Sequence, residues 1–246
     1  MNTQEVKGDT LFLMLDACRF DTFLNADTPN FRKVGGVSKA YSPSCWTIST
    51  LPSYLYGVVP LGYIKEEYGL RRGRFGFERY VKKEQDDYWY GFYSPNPTVD
   101  ELKPLMKKFH VIRTIKYSLE EPTCRKIFDD IRKDILDFKE RNYFIFTLFM
   151  ETHPPIWNGK EFIDDPSKQF ESQIKAVEYI DKEFGRFLDK IELRKPTKII
   201  ITSDHGELMG ERNEKGQQMY GHDPRNNYIT FHPKLFEIPY IEGIYA

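Results

Sequence analysis

The sequence predicts an α/β fold built on a mostly parallel central sheet sandwiched between helices. Three observations predict it. Residues 11–15 (LFLML), 143–149 (YFIFTLF) and 198–201 (KIII) are apolar runs of the kind found in strands buried on both faces. Residues 167–191 place Ile174, Val177, Ile180, Phe184 and Phe187 at helical spacing. Strand-like and helix-like segments then alternate along the chain, the order of parallel βαβ units.

The elements follow in order. The first strand, 11–15, ends at Asp16. Thr28-Pro29-Asn30 reads as a helix start and Gly35-Gly36 as its stop. A short helix follows Ser42-Pro43-Ser44 and ends near Gly57. Residues 61–86, with Arg71, Arg72, Arg74, Arg79, Lys82 and Lys83, read as a long surface excursion. Its basic part, 71–83, is either a solvated face or a collector of anionic substrate. Residues 88–93 (YWYGFY) read as a strand, and helices are expected near 98–109 and 122–139. Residues 238–241 are expected at the sheet edge, because Pro239 cannot donate to a ladder. There are no internal repeats or low-complexity tracts.

The chain of 246 residues is ample for a core. Its net charge of −1 gives no basic field for nucleic acid. Its three cysteines are odd in number and form no CxxC, which speaks against a disulfide framework or a cysteine zinc site. No apolar run approaches a membrane span, and the N-terminus MNTQEVKGDT lacks a signal pattern. The expectation is a cytoplasmic protein without nucleic-acid or membrane partners. A homodimer is left open by the aromatic content.

In parallel sheets ligands bind beyond the carboxyl ends of strands. Three apolar strands deliver acid or imidazole there: Asp16 after the first, Glu151 and His153 after a middle one, Asp204 and His205 after a late one. Gly221-His222-Asp223 follows in a loop. The SDHGE cluster alone reads equally as a helix cap, with Ser203 or Asp204 capping and Glu207 in the first turn. Three strand ends at one sheet edge favour a metal site. SPSCWTISTLPSYLYGVVP, residues 42–60, offers hydroxyls at a helix start, where an anion is favoured and a metal-activated hydroxyl acts as nucleophile.

Taken in order, LFLMLDACRFD, CWTISTLPSYLYGVVP, METHPP, ITSDHGE and GH resemble the alkaline phosphatase/sulfatase superfamily, nearest in look to its phosphoglycerol transferases and phosphodiesterases. The resemblance implies a single catalytic domain over 1–246, alkaline-phosphatase-like and without a large C-terminal subdomain. It implies one or two divalent metal ions, with zinc or manganese favoured by mixed carboxylate and imidazole ligands. It implies metal ligands Asp16, Asp204, His205, His222 and Thr47, and contacts to the transferred group from His153. Glu151 and Arg19 are further candidates for substrate; Arg19 also reads as an ion-pair partner of Asp21. Thr47 is the expected nucleophile on its register with Trp46, Gly57 and Pro60. Thr50 stays open, because Pro52 lies two residues after it. Cys45 lacks the following Pro and Arg of a formylglycine motif, so an unmodified threonine acting on phosphoric mono- or diesters is expected. Alternatives are transfer of a phosphoryl-linked group, sulfuric ester hydrolysis, and non-catalytic binding of a metal or metabolite. The expected partner is a small anionic ester.

Overall fold

The fold is described by a computed structural model covering residues 8–56, 65–66, 69–70, 88–99, 109–191, 193, 196–222 and 232–245. Its elements in chain order are β1 (Thr10–Leu15), α1 (Phe20–Asn25), α2 (Pro29–Val34), β2 (Ser38–Tyr41), α3 (Thr47–Tyr56), β3 (Tyr88–Ser94), β4 (Val111–Thr114), α4 (Cys124–Asp137), β5 (Asn142–Phe149), α5 (Gln169–Lys190), β6 (Thr197–Ser203), β7 (Leu208–Arg212), β8 (Gln218–Gly221) and β9 (Glu237–Tyr245). Seven of the strands form one sheet in the order β2-β9-β6-β1-β5-β3-β4. β1 pairs in parallel with both β6 and β5, and β5–β3 and β3–β4 are parallel too. Only β9 runs against the others, between β6 and β2.

The apolar strand runs are explained by two covered faces. Successive side chains alternate across a strand. Leu11, Leu13 and Leu15 join Ile145, Ile199 and Ile201 in one core with α1, α2, α4 and α5. Met14, Phe146, Leu148 and Phe92 turn the other way and pack with Ile48 and Leu51 of α3. All five α5 residues read from the sequence are buried. Among the described residues no helix is long and apolar enough to cross a membrane.

Two expectations change. β9 is not an edge strand: its first half pairs with β2, which is the edge. Pro239 is tolerated because its carbonyl faces β6, accepting the Thr202 hydroxyl at 2.8 Å. The missing N–H lies on that same side, beyond Tyr240, where pairing with β6 ends. SDHGE opens no helix: Asp204 leads through a turn into β7, so the helix-cap reading fails. The short strands β2, β4 and the β7–β8 hairpin were not read from the sequence at all. Most of 98–109, almost all of 61–86 including 71–83, and Gly57, Pro60 and Asp223 lie outside the described residues.

Candidate metal centre and nucleophile

Parallel strands bring their carboxyl ends to one edge, and the side chains there converge. Asp16 follows β1, and its amide donates to the Phe149 carbonyl at 2.8 Å, carrying the β1–β5 ladder one residue further. Ala17 then takes a left-handed φ of 57°, unusual for a residue with a Cβ. That turn aims the Ala17 amide at Asp204 Oδ1, 3.0 Å away, and the His205 amide reaches the same oxygen at 2.9 Å. Asp204 Oδ2 and Asp16 Oδ1 are left buried without a hydrogen-bond partner among the described residues.

His205 is oriented by its own turn. Its Nδ1 lies 2.8 Å from the Gly206 carbonyl oxygen, which can only accept. Nδ1 therefore carries the proton, and the Nε2 lone pair faces the carboxylates. Nε2 lies 3.4 Å from Asp204 Oδ2, 3.9 Å from Asp16 Oδ1 and 3.3 Å from Thr47 Oγ1. Gly206 has no room for a side chain: a Cβ there would sit 1.9 Å from the Lys234 carbonyl oxygen. The segment before β9 thus packs directly on the loop that carries the ligands.

Asp16, Asp204 and His205 each offer one ligand atom, all within 4.8 Å of one another, and all three side chains are fully buried. Burial pushes the Asp16 carboxyl well above its ordinary range, and Asp204 and Glu207 push it further. Burial also raises Asp204, against the pull of the Ala17 amide, Thr47 and His222. His205 is held below its ordinary value by burial and then by His222. Two sealed carboxylates with orphaned oxygens beside a neutral imidazole lone pair are unstable as free anions. A divalent cation resolves all three at once, so the donor set fits a metal ion.

Thr47 is the first residue of α3 and is buried beside this group. Thr50 points elsewhere: its Oγ1 lies 3.4 Å from the Ser44 carbonyl. The geometry therefore brings Thr47, not Thr50, to the ligands. His222 lies outside the three-ligand group. Its Nδ1 is 2.6 Å from Glu207 Oε2, and its ring centre is 4.3 Å from that of His205 and 5.2 Å from that of His153. His153 is half-buried with its Nδ1 sealed and without a hydrogen-bond partner among the described residues, and desolvation holds it down to about 4.

Two candidates are engaged by the scaffold, although Glu151 Oε2 stays buried without a hydrogen-bond partner among the described residues. Glu151 Oε1 accepts the Thr123 and Cys124 amides at 2.6 and 2.8 Å, anchoring the start of α4. Arg19 is taken by Asp21 through Nε and Nη2, and by Glu211 through Nη1 at 2.6 Å. The substrate contact expected of Arg19 therefore gives way to an ion-pair network linking α1 to β7. Three polar residues at the site were not assigned a role in it from the sequence. Asn96, just past β3, donates to Asp16 Oδ2 at 2.7 Å. Glu207 is fully buried against His222. Gln173 donates to the Ala17 and Thr152 carbonyls, tying α5 to the β1 and β5 ends. Asn96 was findable: the strand-end rule that selects Asp16 selects it too.

A parallel α/β sheet carrying a carboxylate–imidazole centre beside a helix-borne threonine defines an alkaline-phosphatase-like metalloenzyme scaffold. The sulfatase family model matches residues 53–242, more than half of the chain. The chain belongs to the sulfatase family, within the alkaline phosphatase/sulfatase superfamily. It is 25% identical over 236 residues to the low-salt glycan biosynthesis sulfotransferase Agl7 of Haloferax volcanii, covering 94% of this chain and 53% of that protein. The chain thus spans about half the length of that curated relative. The C-terminal periplasmic domain of EcEptC from Escherichia coli superposes with a TM-score of 0.65 at 10% identity, over 96% of this chain and 72% of that one. That domain has also been solved with zinc, a structure with a TM-score of 0.58 to this chain at 10% identity, over 97% of this chain and 74% of that one. The lipoteichoic acid synthase LtaP from Listeria monocytogenes superposes with a TM-score of 0.59 at 12% identity, over 96% and 65%. These structural likenesses show the fold.

Proposed function

We propose that the chain is a metal-dependent enzyme that cleaves phosphoric esters through Thr47. The observation that carries this is Thr47 Oγ1 at the first turn of α3, 3.3 Å from His205 Nε2 and beside the unpartnered Asp204 Oδ2. Asp16, Asp204 and His205 would hold a divalent ion, zinc or manganese by donor type, which supplies Lewis acidity and lowers the hydroxyl's pKa. Thr47 releases its hydroxyl proton to solvent, its Oγ attacks phosphorus in line, the P–O bond to the leaving group breaks, and a phosphothreonine results. The α3 N-terminus favours the charge on the equatorial oxygens. His222, fixed at Nδ1 by Glu207, is placed to hold a proton at Nε2 and deliver it to the leaving oxygen. Water or an alcohol then attacks phosphorus and frees Thr47.

The second reading, transfer to an alcohol, draws on the phosphoethanolamine transferase and synthase names of the structural neighbours. The sulfotransferase name of the curated relative raises sulfate as a rival group. Cys45-Trp46-Thr47 without a following Pro and Arg supports phosphate. Cytoplasmic placement is part of this proposal and is supported by three cysteines at wide spacing with no CxxC pair. The test is turnover of 4-nitrophenyl phosphate mono- and diesters and of 4-nitrophenyl sulfate, with and without added glycerol. Glycerol-dependent phosphoglycerol formation establishes transfer, and free product alone establishes hydrolysis. Turnover of the sulfate ester only would overturn the phosphate assignment.

A further inference from the structure

α4 and α5 run side by side and leave a cleft of about 260 Å³ between them. α4 lines it with Arg125, Asp129 and Arg132, α5 with Glu183, Arg186 and Lys190. Both sets sit at one-turn and two-turn spacings, so each helix turns a single stripe to the cleft. The floor is Phe128 stacked on Phe187, ring centres 5.2 Å apart. Four cations against two carboxylates leave a surplus of two positive charges around this concavity.

The Glu183 side chain is 2% exposed, and it organises the rim. Its carboxylate takes Arg125 Nε and Nη2, each at 3.0 Å, and Arg186 Nη1. Both guanidiniums are thereby pinned, while their side chains stay 58% and 44% exposed. Arg132 is half-buried, and its Nε is sealed from solvent with no acceptor among the described residues. The bland account covers part of this. Arg125 and Arg186 neutralise a buried acid, and Lys190 suits the last turn of α5. It leaves Arg132 Nε unsatisfied, although a buried N–H is normally paired. An oxyanion in the cleft balances the surplus charge, and Arg132, which lines the cleft, meets it by turning its guanidinium outward from the sealed position.

The cleft is remote from the metal centre. Gln173 of α5 touches the β1 and β5 ends, and at ~1.5 Å per residue Glu183 and Lys190 lie about 15 and 25 Å further along the helix. We infer that the α4–α5 cleft is a second anion site, built for the dianionic phosphate of a monoester or of a lipid headgroup. Guanidinium forks recognise such tetrahedral oxyanions, and the small volume takes a headgroup-sized ligand.

The test compares the full chain with its Arg132→Gln/Lys190→Gln variant, both carrying Asp204→Ala so that the metal centre does not contribute. One arm titrates inorganic phosphate by calorimetry. The other sediments protein with phosphatidylcholine vesicles with and without phosphatidic acid. Saturable phosphate binding weakened about tenfold or more in the variant assigns the cleft to a free phosphate group. Binding to phosphatidic-acid vesicles alone, weakened as much, assigns it to a headgroup. Equal behaviour of the two proteins in both arms overturns the proposal, whether both bind or neither does. An unchanged melting temperature and unchanged ester turnover, measured with Asp204 intact, show that the substitutions spare the fold. Should the pair of changes unsettle α4, Lys190→Gln alone, at an exposed position, carries the same comparison.

Discussion

Thr47 and Thr50 lie about one helical turn apart, yet their hydroxyls have different fates. Thr47 Oγ1 looks at His205, while Thr50 Oγ1 looks back at Ser44. Thr47→Ala should lower kcat by at least about 10³-fold with metal content unchanged, while Thr50→Ala keeps most activity. Steady-state kinetics beside elemental analysis decides this, and an active Thr47→Ala protein sinks the nucleophile. The Glu207–His222 pair gives a second test at this scale. Glu207→Gln exchanges a charged acceptor for a neutral one against the same Nδ1. A loss of about 10- to 100-fold in kcat, with an altered pH–rate profile and metal retained, is expected. An unchanged profile would reduce the pair to packing. Asp16, Asp204 and His205 were legible because each ends an apolar strand. Glu207 was not, because its partner His222 sits fifteen residues on, across a hairpin the sequence did not reveal.

The clearest divergence between a residue's apparent and actual task appears among the elements. Glu151 stands at a strand end like the metal ligands, yet its Oε1 spends itself on the first amides of α4. Glu151→Ala should therefore lower stability by about 1 kcal/mol or more, some 2–4 °C per kcal/mol in Tm, with metal content unaltered. Loss of metal at constant Tm would return Glu151 to the centre. The elements read correctly are mostly those whose pattern is long or sealed on both faces, such as β1, β5, β6, α4 and the 22 residues of α5, or those marked by turn residues, such as α2 and α3. The ones missed are short. β4 and β2 have four residues each, with no fully buried side chain between them. Such strands exist because a neighbour offers a ladder, which local sequence does not encode. Pro239 shows the converse: a local rule placed it at the edge, and the register found it an interior position where no donor is needed.

For the molecule as a whole, the centre couples folding to metal and to pH. Asp16 and Asp204 have raised pKa values in the metal-free fold. A carboxyl raised on folding supports the fold fully below its unfolded value of 3.8, and that support is lost as pH rises through the folded value. The metal-free protein is thus progressively burdened by two buried anions as pH rises. A bound cation removes that burden and must displace protons to do so, so its affinity rises with pH. At a metal concentration a hundredfold above Kd the added stability is about 2.7 kcal/mol, or roughly 5–10 °C for a chain of this size. The expected result is a gain in Tm on adding zinc or manganese to chelated protein that is larger at pH 8 than at pH 5.5. Asp204→Ala should abolish the gain at both pH values, and its own Tm without metal should fall less between pH 5.5 and 8 than that of the parent. A gain that is equal at the two pH values, or that survives Asp204→Ala, would separate metal binding from these carboxylates and dismantle the centre as drawn.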